Sequence, residues 1–246
     1  SDHLQYSADY VGGACRAVEE SLDTVCGFLQ GACGDINPYL DKTPVAEGGV
    51  EDMQAMGAAL GSQLVETANH CEAIPDASAG LQIERRTVPA RVRWDLKNEE
   101  HYKLLSRLYG QRINLIVRAA PDGVLPLPLT TVLLGESVAL VGLPGEIFVD
   151  FQLDLKQRSP VPTTLLVGYT NGYHAYFPTI RHAAAGGYGG KTATYVAVGT
   201  GERMVDEALM TLYAMTDHLH DAPRLEDFQL LEWDEIKTPT WRNEFS

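Results

Sequence analysis

Two apolar runs, 130–134 and 138–143, flank Gly135-Glu136. A Gly-Glu pair between such runs reads as a tight turn, and the runs as the arms of an antiparallel hairpin. That hairpin constrains everything else. Helix-like and strand-like segments alternate along the rest of the chain, the pattern of an α/β architecture. A wholly parallel sheet cannot contain a hairpin. The expected fold is therefore α/β, a mixed β-sheet layered with helices.

Apolar residues at helical spacing predict a helix over 8–22, where Val11, Ala14, Cys15, Val18 and Leu22 share a face. A second is expected over 50–73, with Met53, Met56, Leu60, Leu64 and Ala68 in one stripe. Further helices are expected over 99–109, from Glu146 to about 157, and over 201–219. Strands are expected at 25–32, 113–118 and 163–169. The 81–96 segment reads as an edge or bulged strand, because Pro89 lacks an N–H for a central ladder. Its arginines, Arg85, Arg86, Arg91 and Arg93, read as a solvated face. Residues 121–128 read as a turn-rich crossing, and 221–246 as a polar tail over the surface.

Composition narrows the function. A chain of 246 residues that is 45% hydrophobic suits one large domain or two small ones with a sizeable core. The formal net charge of -14 argues against nucleic acid and against an anionic membrane surface, since both recruit Lys and Arg. A small or neutral substrate fits better. With no apolar run of about 18 residues, no transmembrane segment is expected. The opening Ser1-Asp2-His3-Leu4 has neither Met nor a signal-peptide layout, and reads as a processed or trimmed start. Cys15, Cys26, Cys33 and Cys71 lack Cys-x-x-Cys spacing, which argues against a zinc knuckle; they read as buried free thiols.

Chemistry-bearing residues gather between 143 and 188. Glu146 follows a Pro-Gly turn at the expected start of a helix. A carboxylate there suits the helix dipole with no function at all. Equally, it stands at a strand's C-terminal edge, where α/β sheets collect ligands. Tyr173 and Tyr176 read as core aromatics or as site hydroxyls. Tyr188 stands between two Gly pairs that remove bulk from a ligand's approach. His174 and His182 lie near these tyrosines in sequence. Gly34-Asp35-Ile36-Asn37-Pro38 forces another sharp turn, expected to line the same cleft as Glu146. Asp35 there is either a cap or a group that orients a metal ligand.

Five stretches carry a resemblance. They are Tyr6-Ser7-Ala8-Asp9-Tyr10, Phe28-Leu29-Gln30-Gly31-Ala32-Cys33-Gly34-Asp35-Ile36-Asn37-Pro38, Leu143-Pro144-Gly145-Glu146, Asn171-Gly172-Tyr173-His174-Ala175-Tyr176 and Gly187-Tyr188-Gly189-Gly190. In order and approximate spacing they resemble the neutral/alkaline ceramidase family of zinc-dependent amidohydrolases and its shorter bacterial relatives. The resemblance implies zinc held by two histidines, a glutamate and a tyrosine. It puts the glutamate ligand at Glu146, the tyrosine ligand at Tyr176 and the hydroxyl that steadies the oxyanion at Tyr188. Asp35, Asn37, Tyr173 and His174 become candidates for orienting the ligands or lining the substrate pocket.

The family's two histidine motifs precede the Ser-Ala-Asp stretch and do not occur in this chain. Residues 1–246 are therefore expected to be one incomplete domain, the C-terminal portion of a ceramidase-like catalytic domain. The expected partners are its N-terminal half, in the same or a separate chain, and a small-molecule or lipid N-acyl substrate. Asn37 stands where the long ceramidases have a serine, as in the shorter relatives, so a serine nucleophile is not expected. The expected activity is hydrolysis of an N-acyl amide by a metal-activated water. Two alternatives stand beside it: a non-catalytic partner or binding module of the same fold, and a metal-dependent hydrolase of an ester or sugar-linked group.

Overall fold

The computed structural model describes residues 6–38, 43–72 and 80–220; the tail expected over 221–246 lies outside them. Helices α1 (Asp9–Leu22) and α2 (Gly49–His70) pack on each other through a seam of small residues. A Cβ added at Gly57 would meet the Tyr10 carbonyl at 2.8 Å, and one at Gly61 the Ala17 Cβ at 2.6 Å. The apolar stripe expected on α2 flanks this seam and stays partly exposed.

The main sheet has the order β1-β2-β3-β5, formed by β1 (Leu81–Arg91), β2 (Val124–Leu134), β3 (Val138–Gly142) and β5 (Thr163–Val167). The first three strands are antiparallel neighbours and β3 runs parallel to β5, so the sheet is mixed. The hairpin expected over 130–143 is the β2–β3 pair. A second, two-stranded parallel sheet joins β4 (Glu146–Ile147) to β6 (Tyr176–Phe177). The remaining helices are α3 (Glu99–Tyr109), α4 (Arg112–Ala119), α5 (Val149–Arg158), α6 (Ile180–Ala185) and α7 (Thr200–Met215). A π-helical turn spans Tyr188–Thr192.

Period-two alternation in β2 sends Leu125, Leu127, Leu129 and Leu133 into the core, where α7 packs over β2 and α5 over β5, adding Phe151, Leu155, Met204 and Leu212. The opposite face carries Leu81 and Ile83 of β1, Leu134 of β2 and Leu165 of β5. All four are exposed; Leu81 is 61% accessible and Leu165 38%. Among the described residues this apolar face is open.

Four expectations are corrected. Residues 25–32 form no strand: the segment is extended, Val25 is 90% exposed, and single backbone bonds replace a ladder. Residues 113–118 fall inside α4, because Ile113 and Ile116 sit one helical turn apart and bury together, which outweighs their β-branched preference. Residues 124–128 are strand despite Pro126 and Pro128, because β3 pairs only with 130–134 of β2. The prolines therefore lie on a stretch with one neighbour, where a missing N–H faces no ladder. Finally, the cysteines are free but none is fully buried; Cys71 is exposed.

The two sheet faces predict different costs of truncation. Leu127→Ala, at a fully buried site, should lower the unfolding free energy by about 2–5 kcal/mol. Leu165→Ala, on the open face, should cost well under about 1 kcal/mol. Urea unfolding of both variants measures this. Equal losses would contradict an open second face.

Candidate active site

Glu146 lies in β4, three residues before α5 begins, and not in the first turn of a helix as its sequence context suggested. Its neighbour across the small sheet is Tyr176, so the two side chains leave the sheet on one face. The loop between β5 and β6 holds this pairing in place. Tyr169, Asn171 and Ala175 have φ of +55°, +59° and +57°, a left-handed backbone that non-glycine residues seldom adopt. Hydrogen bonds to the Leu143-Pro144-Gly145 strand end enforce it. Thr170 N–H donates to the Leu143 carbonyl at 2.9 Å, His174 N–H to Pro144 at 2.7 Å and Tyr169 N–H to Gly145 at 3.2 Å. The approach is so close that a Cβ on Gly145 would collide with the Ala175 carbonyl. Glycine is the residue that permits such contact.

The result is a carboxylate ringed by phenols. Tyr173 Oη donates to Glu146 Oε1 at 2.7 Å. Burial, then this bond, push the Tyr173 phenol up to about 12. The Tyr176 phenol is pushed up further, first by burial and then by hydrogen bonding to Glu146. Both remain hydrogen-bond donors at neutral pH. Tyr169 stacks on Tyr173 with ring centres 5.9 Å apart, and Cys33 Sγ donates to Tyr169 Oη at 3.4 Å.

Tyr188 meets Tyr176 edge-on at 5.5 Å and is 69% exposed, so its hydroxyl stands at the rim. The π-helical turn that carries it is anchored from outside. Arg93 Nη1 donates to the Gly190 carbonyl at 3.0 Å, and Tyr109 Oη to the Thr192 carbonyl at 2.6 Å. Gly189 lies against Phe148 and Tyr176, where a Cβ would come within 3.0 Å of either ring. Arg93, expected on a solvated strand face, is thus a tether for this turn.

Glu146, Tyr173, Tyr176 and Tyr188 come together; the other candidates play different parts. Asp35 Oδ1 accepts the Val149 N–H at 2.8 Å and caps α5. Its turn does lie against β4, since Gly34 N–H donates to the Ile147 carbonyl at 2.8 Å. Asn37 is exposed on the same turn. His174 is partly buried, which lowers its ring's proton affinity, and its Nδ1 lies 3.2 Å from Tyr195 Oη. A cavity of about 600 Å³ opens beside the phenols, walled by Tyr109, Arg112, Leu115, Ile116 and Tyr195. Sequence reasoning missed these residues, because α3 and α4 carry no local sign of facing a loop some 60 residues onward. Tyr169 was within reach: it stands four residues before Tyr173 at a strand end.

Solved structures that share this architecture include two of ceramidases. The crystal structure of neutral ceramidase from Pseudomonas aeruginosa matches 92% of this chain and 44% of its own, with TM-score 0.61 and 18% identity. A structure of ceramidase complexed with C2 matches 91% and 45%, with TM-score 0.63 and 18% identity. The fold is ceramidase-like. The chain spans less than half the length of either ceramidase it matches. No protein-family model and no curated protein sequence matches it.

Among the described residues, no three His, Cys, Asp or Glu side chains converge as a metal site. The oxygens of Glu146 and Tyr176 fit part of a zinc shell, because zinc accepts oxygen donors but ordinarily takes at least three protein ligands.

The shielded phenol gives a testable titration. Against the parent, Tyr173→Phe should lose one phenol titrating near pH 12 rather than near 10 in ultraviolet absorbance. Because the folded-state value is raised, the stabilisation it reflects is whole below about pH 10 and fades as pH climbs toward 12. A phenol lost near pH 10 would show that Tyr173 is not bonded to Glu146.

Proposed function

We propose that this chain supplies the glutamate and tyrosine half of a zinc-dependent amidohydrolase of ceramidase-like type, acting on an N-acyl amide. The observation that carries the reading is the carboxylate of Glu146 with Tyr173, Tyr176 and Tyr188 grouped about it beside an aromatic cavity. The ceramidase-like fold supports it.

In this reading Glu146 and Tyr176 are the ligands. Zinc held there would bring a bound water's pKa near neutrality and so provide hydroxide for attack on the amide carbonyl. Tyr173 fixes the Glu146 carboxylate through Oε1 and leaves Oε2 without that bond. Tyr188, exposed at the rim, offers its phenolic proton to the oxygen that becomes negative as the carbonyl carbon turns tetrahedral. The turn tethers at Arg93 and Tyr109 hold that hydroxyl in advance, which reduces reorganisation during the reaction. The histidine ligands come from an N-terminal half, which docks on the open apolar sheet face. Burying Leu81, Ile83, Leu134 and Leu165 would drive that association.

The chain alone should hold zinc weakly and hydrolyse no amide. Joined to its N-terminal half, it should gain both. In that assembly Glu146→Gln should lower zinc content, since it removes the ligand's charge. Tyr188→Phe should keep zinc and slow turnover by about 10²-fold or more, the usual loss for one oxyanion donor. Metal analysis and hydrolysis of an N-acyl amide panel measure both. Full zinc occupancy with an undiminished rate in Glu146→Gln would end the assignment.

A further inference from the structure

Among the described residues of the cavity wall, Arg112 is the one charged side chain; the rest of that lining is phenolic, apolar or small. It forms no salt bridge with any described residue. Its place is also electrostatically unfavourable. Arg112 is the first residue of α4, and a cation at a helix N-terminus faces the positive end of the dipole. The same helix has no acidic residue in its first turn and no side-chain cap. Arg112 is exposed, no described residue pairs with its charge, and it lines the cavity.

The reach of Arg112 also locates its effect. Arg112 lines the same cavity as Tyr173, Tyr176 and Tyr188, so it shares that space with the phenol that donates to Glu146. Leu108, Leu115 and Ile116 provide apolar wall on the same two helices. A ligand that satisfies all of these has an alkyl portion along α3 and α4 and a negative charge near the amide.

We infer that Arg112 is a specificity-determining residue that pairs with an anionic group carried close to the scissile amide of the substrate. The substrate class is then an acyl amide with a carboxylate or a similar anion on its amine side. A neutral amide offers the guanidinium no charge to pair with. This deepens the amide-hydrolase reading and rests on it for the identity of the bond; the anion pairing itself rests on the cavity alone.

Paired ligands test it on the full chain, by calorimetry or tyrosine fluorescence at low salt. N-dodecanoylglycine and N-dodecanoylglycinamide share shape and differ in charge. The parent should bind the carboxylate roughly two- to fivefold more tightly, the scale for an exposed ion pair, with the gap shrinking as salt is added. In Arg112→Gln the two ligands should bind alike, and in Arg112→Lys the preference should persist. Dodecanedioic acid monoamide, whose charge lies at the far end, should gain nothing over dodecanamide. No preference in the parent, or a preference that survives Arg112→Gln, overturns the inference. A far-end preference would move the anion to the acyl side and overturn the placement. If charge-selective binding depends on Arg112 but the assembled protein hydrolyses neither glycine derivative nor any other amide, the amide reading fails and the Arg112 pairing stands.

Discussion

The parallel pairing of Glu146 with Tyr176 is the contact on which the site depends. It is only two residues long on each strand, too short to persist through its own ladder. Its support comes from behind. The 169–175 loop bonds back to Leu143, Pro144 and Gly145, and the Glu146 N–H donates to the Ala175 carbonyl at 2.9 Å. Three left-handed residues in that loop are the local cost of bringing Tyr169, Tyr173 and Tyr176 to one carboxylate. Strain of this kind persists where surrounding structure over-determines it, and Gly145 makes the necessary close approach possible.

Much of this was legible in the sequence. Helix 99–109 has the expected bounds, and Asn98 caps it by accepting the Glu100 and His101 N–H groups. The β2–β3 hairpin followed from its turn. The tyrosine cluster followed from a loop too aromatic to be a plain connection. What stayed hidden was decided by distant partners. Residues 25–32 are apolar enough for a strand but find no continuous neighbour among the described residues. Residues 113–118 have strand-like composition yet bury as a helix against Leu105 and its surroundings. Glu146 looked like the first turn of a helix, because nothing in Pro-Gly-Glu announces a strand whose partner lies thirty residues later. The cavity wall was invisible for the same reason.

The sheet shows a similar division between local and distant causes. Alternation fixes which side chains of β2 share a face, and α5 and α7 close one of those faces. The other face is apolar without a cover among the described residues. An antiparallel sheet can leave one face in water, but Leu81, Ile83, Leu134 and Leu165 make this face apolar, which marks it as a surface for association. The proposed zinc site has a matching shortfall: Glu146 and Tyr176 would give two donors where a zinc shell ordinarily needs at least three protein ligands. In the proposed assembly, one docking event at the open face would answer both.

Zinc K-edge X-ray absorption of the assembled, zinc-loaded protein tests this most directly. Glu146 and Tyr176 ligation, completed by histidine, predicts a first shell of oxygen and nitrogen alone at about 2.0–2.2 Å. Loss of an oxygen scatterer in Glu146→Gln should accompany it. A sulfur scatterer at about 2.3 Å would contradict the assignment, because it would make the nearby thiol of Cys33, and not the Glu146–Tyr176 pair, the centre of the metal site.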